Sequence, residues 1–262
     1  MKAIILAAGQ GTRLKKYTED LPKGMLVFLG KTLIERQIET YRRCGIKDIV
    51  VVKGFAGDKI NYKDVLYVTN EDYASTNMVA SLMCAKLYLE GEVIVSYSDI
   101  IFEDKMLLNL IKQRNDVSVV VDDDWKDYWR MRYDRIDFDT ESLSINEKGY
   151  ITSLGKENPP IQDIDARYVG LMKFSDKVLE KMIQIYEDRL NHYPNEPWQT
   201  SGKPIRNAYM TDMLQALISW GLPVKAMRYS NGWLEFDTNE DYERANLWVE
   251  TKKVLSLLSI KE

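Results

Sequence analysis

KAIILAAGQGTRL, Lys2 to Leu14, starts as an apolar strand and breaks after Ala8 into Gly-Gln-Gly-Thr-Arg. A strand that ends in Gly-x-Gly lets backbone N–H groups approach an anion with no Cβ atoms in the way, and such concavities bind phosphates. Leu6, Ala7, Ala8, Gly9, Gly11 and Thr12 are therefore expected along a phosphate-binding turn. A tight turn of purely structural purpose is the competing reading of a lone Gly-x-Gly, so the neighbours must decide.

Two familiar glycine loops fail on spacing. The dinucleotide fingerprint needs a third glycine three residues after Gly11, where this chain has Leu14. The Walker loop needs a glycine five residues before Gly30-Lys31-Thr32, and that position is Met25. Gly30-Lys31-Thr32 then reads as a turn before the helix that starts at Leu33. What remains is cationic: Arg13 follows the glycines and Lys23 follows Pro22. Two cations beside a backbone turn suit a triphosphate better than a pyrophosphate diester.

Working outward, strand-length apolar runs alternate with helical patterns. Ala3–Ala7 is followed by the helical Leu33–Cys44, then the strands Ile49–Val52 and Leu66–Thr69. The helix Val79–Leu89, the strand Glu92–Tyr97, the helix Lys105–Gln113 and the strand Val117–Val121 continue the series. This is the pattern of a parallel sheet with both faces covered. Ligands of such sheets bind beyond the carboxyl ends of the strands. From Asp122 to Tyr168 the chain is expected to form a small β-rich lobe, with a hairpin turn at Lys148-Gly149-Tyr150. Asp176–Asn191 reads as a helix and Tyr193–Pro204 as a surface loop or lid. Thr211 or Asn207 is expected to cap a helix that Gly221 ends, and an amphipathic helix closes the chain.

Composition narrows the function. The 262 residues are 45% hydrophobic and 29% charged, enough for one large core, and the formal net charge is -4. No basic field is available for polynucleotide phosphates. Two cysteines and one histidine give no Cys/His metal constellation and fit a reduced cytoplasm. The apolar run before Gly9 is too short for a signal peptide or a membrane span.

L-A-A-G-x-G-T-R-L followed by P-K resembles the signature of the nucleotidyltransferase superfamily that makes NDP-sugars and CDP-alcohols. The resemblance implies a Rossmann-like nucleotide-diphospho-sugar transferase fold of the GT-A kind: α/β, with a mixed, mostly parallel sheet, helices on both faces and a small β-rich acceptor lobe. It also implies a single domain over 1–262, with 1–121 as nucleotide-binding core and 122–262 as acceptor lobe and closing metal segment. In that family Arg13 and Lys23 would neutralise the triphosphate and act in catalysis.

The chemistry brings two anions together, which calls for a divalent cation, Mg2+, on carboxylates. Asp99 ends the apolar strand with Ser98 before it, and Ser98-Asp99 matches the family's strand-end metal aspartate. Asp237, in W-L-E-F-D-T-N-E-D-Y, matches the second, although Asp-Thr there also reads as a helix cap. Glu235, on the same strand face, ranks behind them. A rival is Asp122-Asp123-Asp124: glycosyltransferases of the related fold hold their metal on a strand-end D-x-D.

Asn77 and Ser81, in T-N-M-V-A-S-L, resemble the segment that lines the base pocket. Its form is that of phosphocholine-type and capsule-pathway cytidylyltransferases, so CTP is the expected nucleotide. Lys156 resembles the lysine that meets the acceptor phosphate. Arg132, among Arg130 and Arg135, suits a carboxylate-bearing acceptor. Tyr209, Thr211 and Asp212 could complete that pocket, with Asp212 receiving an amine. Trp125, Tyr128, Trp129 and Tyr133 read as lobe core and lid rather than a choline cage. Asp124–Arg132 and Tyr168–Ser175 look closest to capsule enzymes that cytidylylate phosphoglutamine. The expected partners are CTP and a small phosphorylated acceptor, in the service of surface or capsule polysaccharide modification. A sugar-1-phosphate uridylyl- or thymidylyltransferase, and a catalytically idle nucleotide-binding module, are the alternatives.

Overall fold

A computed structural model describes residues 1–259; residues 260–262, the last of the expected acceptor lobe, lie outside the described residues. The strand at the N-terminus, β1 (Lys2–Ala7), pairs in parallel with β2 (Asp48–Lys53) on one side and β4 (Val93–Tyr97) on the other. β3 (Leu66–Thr69) pairs in parallel outside β2. The remaining strands of this sheet are β5 (Val117–Asp122), β6 (Glu141–Ile145), β7 (Tyr150–Glu157), β8 (Arg167–Phe174) and β9 (Val224–Tyr229). The order is β3-β2-β1-β4-β8-β5-β9-β7-β6. β9 runs parallel to β5, while β8 runs antiparallel to both β4 and β5.

Alternation along β1 sorts the core into two faces. Ile4 and Leu6 point to one, where they meet α2 (Met78–Cys84), α5 (Asp176–His192) and α6 (Met210–Ser219). Ala3, Ile5 and Ala7 point to the other, towards α1 (Leu33–Arg43), α3 (Asp104–Ile111), α4 (Trp125–Tyr133) and α7 (Asn239–Glu250). Both faces are covered, which is why the strands are nearly all apolar. The fold class is thus the mixed, mostly parallel α/β arrangement expected.

The differences are local. Trp125–Tyr133 is a helix, not part of a β lobe. Its Trp125, Tyr128, Trp129, Arg132 and Tyr133 recur at i, i+3, i+4, i+7 and i+8, one helical stripe. The expected hairpin exists as β6 and β7, and because β7 pairs with β9 it extends the main sheet rather than forming a separate lobe. The helix expected to Leu89 ends at Cys84, and a 3-10 turn over Lys86–Tyr88 follows. α6 is capped at Tyr209, whose N–H donates to Asp212 Oδ2 at 2.9 Å, rather than by Thr211 or Asn207. Gly221, at φ +81°, ends it as expected.

β8 matters most for the site. Its pairing with β5 shifts register between Tyr168 and Met172, at Gly170. Gly170 sits at φ +84°, and a Cβ there would lie 2.7 Å from the Tyr97 ring. Only glycine gives both the backbone conformation and the room. The antiparallel direction brings the first residues of β8 to the end of the sheet where β1 and β4 finish.

Candidate active site

A cavity of about 790 Å3 opens where β1 and β4 end and β8 begins. Its first wall is the glycine turn. Gly11 lies at φ +71°, and a Cβ there would press on Lys23 Cβ at 3.0 Å, whereas a Cβ on Gly9 would meet nothing within 4 Å. The turn therefore brings Lys23 close and leaves open space over Gly9. Leu6, Ala8 and Thr12 also line the cavity. Ala7 does not: strand alternation buries it in the opposite core.

Asp99 and Asp237 arrive from different elements. Asp99 follows β4, and Asp237 follows Trp233–Glu235, a short strand that pairs with Ile100–Phe102. The Phe236 N–H donates to the Asp99 carbonyl at 3.0 Å and ties the two segments together. Lys23 Nζ lies between the two carboxylates and donates to both. Arg13 spans Asp139 at 2.8 Å and Asp237 at 3.1 Å. Burial pushes the Asp237 carboxyl up, yet Lys23 and Arg13 overcome it and hold the group well below the usual carboxylate range. Burial likewise opposes the Lys23 charge, and Asp237 and Asp99 raise its pKa above the ordinary lysine value. Glu235 also lines the cavity. Its pKa is pushed up by burial and by the Asp237 charge, against Arg132.

This donor set fits a magnesium ion. Asp99 Oδ1 is buried with no hydrogen-bond partner. Among the described residues there is no cluster of three or more His, Cys, Asp or Glu side chains that would cage a metal. Magnesium does not require one, since it is commonly held by one or two carboxylates together with substrate phosphates.

The end of the cavity expected to take the nucleotide is built on a polar loop. Asn70, nearly fully buried, donates to Thr76 Oγ1 and Ser81 Oγ at 2.9 Å each. Asn77 caps α2 through its own Oδ1, and its N–H donates to the Arg206 carbonyl at 2.9 Å. Asn77, Ser81 and Ser98 all line the cavity. The organising residue, Asn70, was missed; the one available signal is a polar residue straight after a strand.

Five of the residues expected near the acceptor lie elsewhere or are otherwise engaged. Arg132 is only 1% exposed and faces Glu235 at 2.6 Å and Asp241 at 2.7 Å, so its hydrogen bonds are spent inside the protein. Arg130 and Arg135 pair with Asp127 and Asp137 on the surface. Lys156 is exposed and outside the cavity lining, although Glu157 and Asn158 beside it belong to that lining. Asp212 is fully buried and accepts from Ser201 N, Ser201 Oγ and Tyr209 N, which leaves no oxygen for a substrate amine.

Tyr209 and Thr211 do line the cavity. In the 193–204 loop Arg189 donates to the Pro197 carbonyl at 2.8 Å and Trp198 is buried, while residues 193–197 are exposed. Trp125, Tyr128 and Trp129 are core, as expected.

The rival D-x-D falls away. Asp122 is fully buried and accepts from Trp233 Nε1 at 2.8 Å and from the N–H groups of Asn231 and Asp124 at 3.0 Å. Asp124 sits at the start of α4, and neither residue lines the cavity.

A model of the MobA-like NTP transferase domain matches residues 3–161. The chain is 36% identical over 256 residues to the CTP:phosphoglutamine cytidylyltransferase of Campylobacter jejuni subsp. jejuni serotype O:2, covering 93% of this chain and 98% of that one. It is 32% identical over 152 residues to the choline-phosphate cytidylyltransferase of Streptococcus pneumoniae, covering 56% and 65%. The solved structure of CTP:phosphocholine cytidylyltransferase from Streptococcus pneumoniae shares the fold, with a TM-score of 0.74 at 24% identity over 95% of this chain and 98% of that one.

Proposed function

The chain belongs to the family of the MobA-like NTP transferase domain, and we propose that it transfers CMP from CTP to a small phosphorylated acceptor, phosphoglutamine first, with release of pyrophosphate. The observation that carries this reading is the meeting of the Gly9–Arg13 turn, Lys23, Asp99 and Asp237 in one cavity. Similarity along nearly the full chain to an enzyme named for CTP and phosphoglutamine supports the choice of both substrates.

In the proposed reaction an acceptor phosphate oxygen attacks the α-phosphorus of CTP. The bond from that phosphorus to the β-phosphate oxygen breaks, and pyrophosphate leaves. No enzyme nucleophile is needed. Gly9 and Gly11 admit the triphosphate to the backbone, Arg13 neutralises it, and Lys23 supplies a fixed cation at the reacting phosphorus. Asn77 and Ser81 face the base. Asp99 and Asp237 would hold Mg2+, which supplies charge neutralisation between the two anionic substrates. In this reading residues 1–121 serve the nucleotide and the later segments the acceptor. The product would be an activated CDP-linked group made in the cytoplasm for transfer to a surface polysaccharide.

The nucleotide half is tested by measuring pyrophosphate release from CTP, UTP, dTTP and ATP with a fixed acceptor panel, with and without EDTA. The expected result is release from CTP alone or strongly preferred, stopped by EDTA and restored by excess Mg2+. Preference for UTP or dTTP with hexose 1-phosphates would make the protein a sugar-1-phosphate nucleotidyltransferase instead. CTP binding without any release would make it an idle nucleotide-binding module.

A further inference from the structure

Three cationic side chains line the cavity: Arg13, Lys23 and Arg167. Arg13 and Lys23 are engaged by Asp139, Asp237 and Asp99. Arg167 is different. It is 9% exposed, and its Nε and Nη1 are buried without a hydrogen-bond partner. Its guanidinium lies over the Trp129 ring, 4.5 Å from the centroid. Stacking uses the face of the guanidinium and leaves its in-plane N–H groups to bind something else. The Glu141 and Glu235 carboxylates attract this cation, but neither accepts a hydrogen bond from Nε or Nη1, so those buried donors stay open to a ligand.

Two hydroxyls share the condition. Thr140 and Thr211 are buried, line the same cavity, and have Oγ1 atoms with no partner. Thr211 is held against β7, where a Cβ on Gly155 would come within 3.1 Å of its Oγ1. Glu141 and Glu157 line this end as well and would disfavour an acceptor with no positive group. Lys156, the cation expected to meet the acceptor, is outside the lining.

We propose that Arg167, with Thr140 and Thr211 as neutral donors in the same cavity, is the acceptor's anion receptor and binds an oxyanion, phosphate or carboxylate, of the phosphorylated acceptor. This rests on the cytidylyl-transfer reading and names the residue that would select the acceptor within it. The planar fork of arginine suits either group through paired hydrogen bonds.

The test is Arg167→Met and Arg167→Lys, assayed at saturating CTP with phosphocholine, phosphoserine and phosphoglutamine as varied acceptors. Circular dichroism checks folding. Arg167→Met is expected to raise the acceptor KM on the order of 10²-fold and to leave calorimetric binding of CTP alone unchanged. Arg167→Lys recovers part of the loss. A rise for all three acceptors assigns Arg167 to the phosphate; a rise confined to phosphoserine and phosphoglutamine assigns it to the carboxylate. Acceptor KM values that stay at wild-type level, or a loss of CTP affinity equal to the loss for acceptors, would overturn the proposal. If Arg167→Met does not fold, Arg167→Lys and the near-isosteric Thr211→Val carry the same KM comparison. If the wild type releases no pyrophosphate with any acceptor, the function reading fails by itself, and binding of phosphoglutamine to the CTP-loaded protein, which needs no turnover, still decides for or against Arg167.

Discussion

Replacing Asp237 with asparagine is expected to slow pyrophosphate release by on the order of 10²- to 10³-fold while the protein stays folded. The carboxylate is the point where three parts of the site meet: Lys23 donates to Oδ1, Arg13 reaches Oδ2, and the backbone N–H of Asp237 is fixed by Asp241 at 3.0 Å. Asparagine keeps the shape and removes the charge that would hold the metal and set the two cations. Lys23 keeps Asp99 as a partner, so its ammonium is not left alone. Asp99→Asn should cost a similar factor, and the double variant little more than either single one, because the two carboxylates act as a unit. Steady-state rates at saturating CTP check this. Single variants within about twofold of wild type would remove both residues from the chemistry.

The largest effect on stability is expected at Arg132. Its Nη1 faces Glu235 at 2.6 Å, and Nε and Nη2 face Asp241 at 3.2 and 2.7 Å. Trp129 lies under the guanidinium, 4.6 Å to the centroid. Arg132→Met leaves the buried Asp241 carboxylate without its cation and takes the ion-pair partner from the half-buried Glu235, a loss of about 3–5 kcal/mol. At about 2–4 °C per kcal/mol for a chain of this size, the melting temperature should fall by roughly 6–20 °C. Asp241 also accepts from the N–H groups of Asp237 and Thr238 at 3.0 Å. Arg132 is therefore a positioning residue: folded Arg132→Met should lose kcat without a change in which acceptor is preferred. A change in acceptor preference at wild-type melting temperature would restore Arg132 to the acceptor pocket.

What the sequence showed and hid follows from range. The Gly9–Arg13 turn, Ser98-Asp99 and Asp237 are legible because strand ends in an open α/β sheet converge, and each of these residues ends or follows an apolar strand. Arg132 was misread because a charged residue in an aromatic stretch suggests exposure. The partners that bury it, Glu235 and Asp241, are 103 and 109 residues away. Asp212 was misread for the opposite reason, since its partners are local: a cap on its own helix is a commoner use of an acid three residues after the N-cap. Arg167 left no local signal. It is the first residue of an apolar run, and only the insertion of β8 antiparallel between β4 and β5 carries that residue to the cavity. The Trp125–Tyr133 helix was legible after all, in its i, i+3, i+4 aromatic spacing, but the acidic run before it drew the reading towards a lobe.

The most direct test of the account is one reaction: purified protein, CTP, Mg2+ and phosphoglutamine, followed by pyrophosphate release and by mass spectrometry of the product. The account predicts pyrophosphate and a CDP-linked glutamine in equal amounts, formed together and absent without acceptor. Pyrophosphate release only with a hexose 1-phosphate, or no CDP-linked product from CTP with any phosphorylated acceptor, would contradict it.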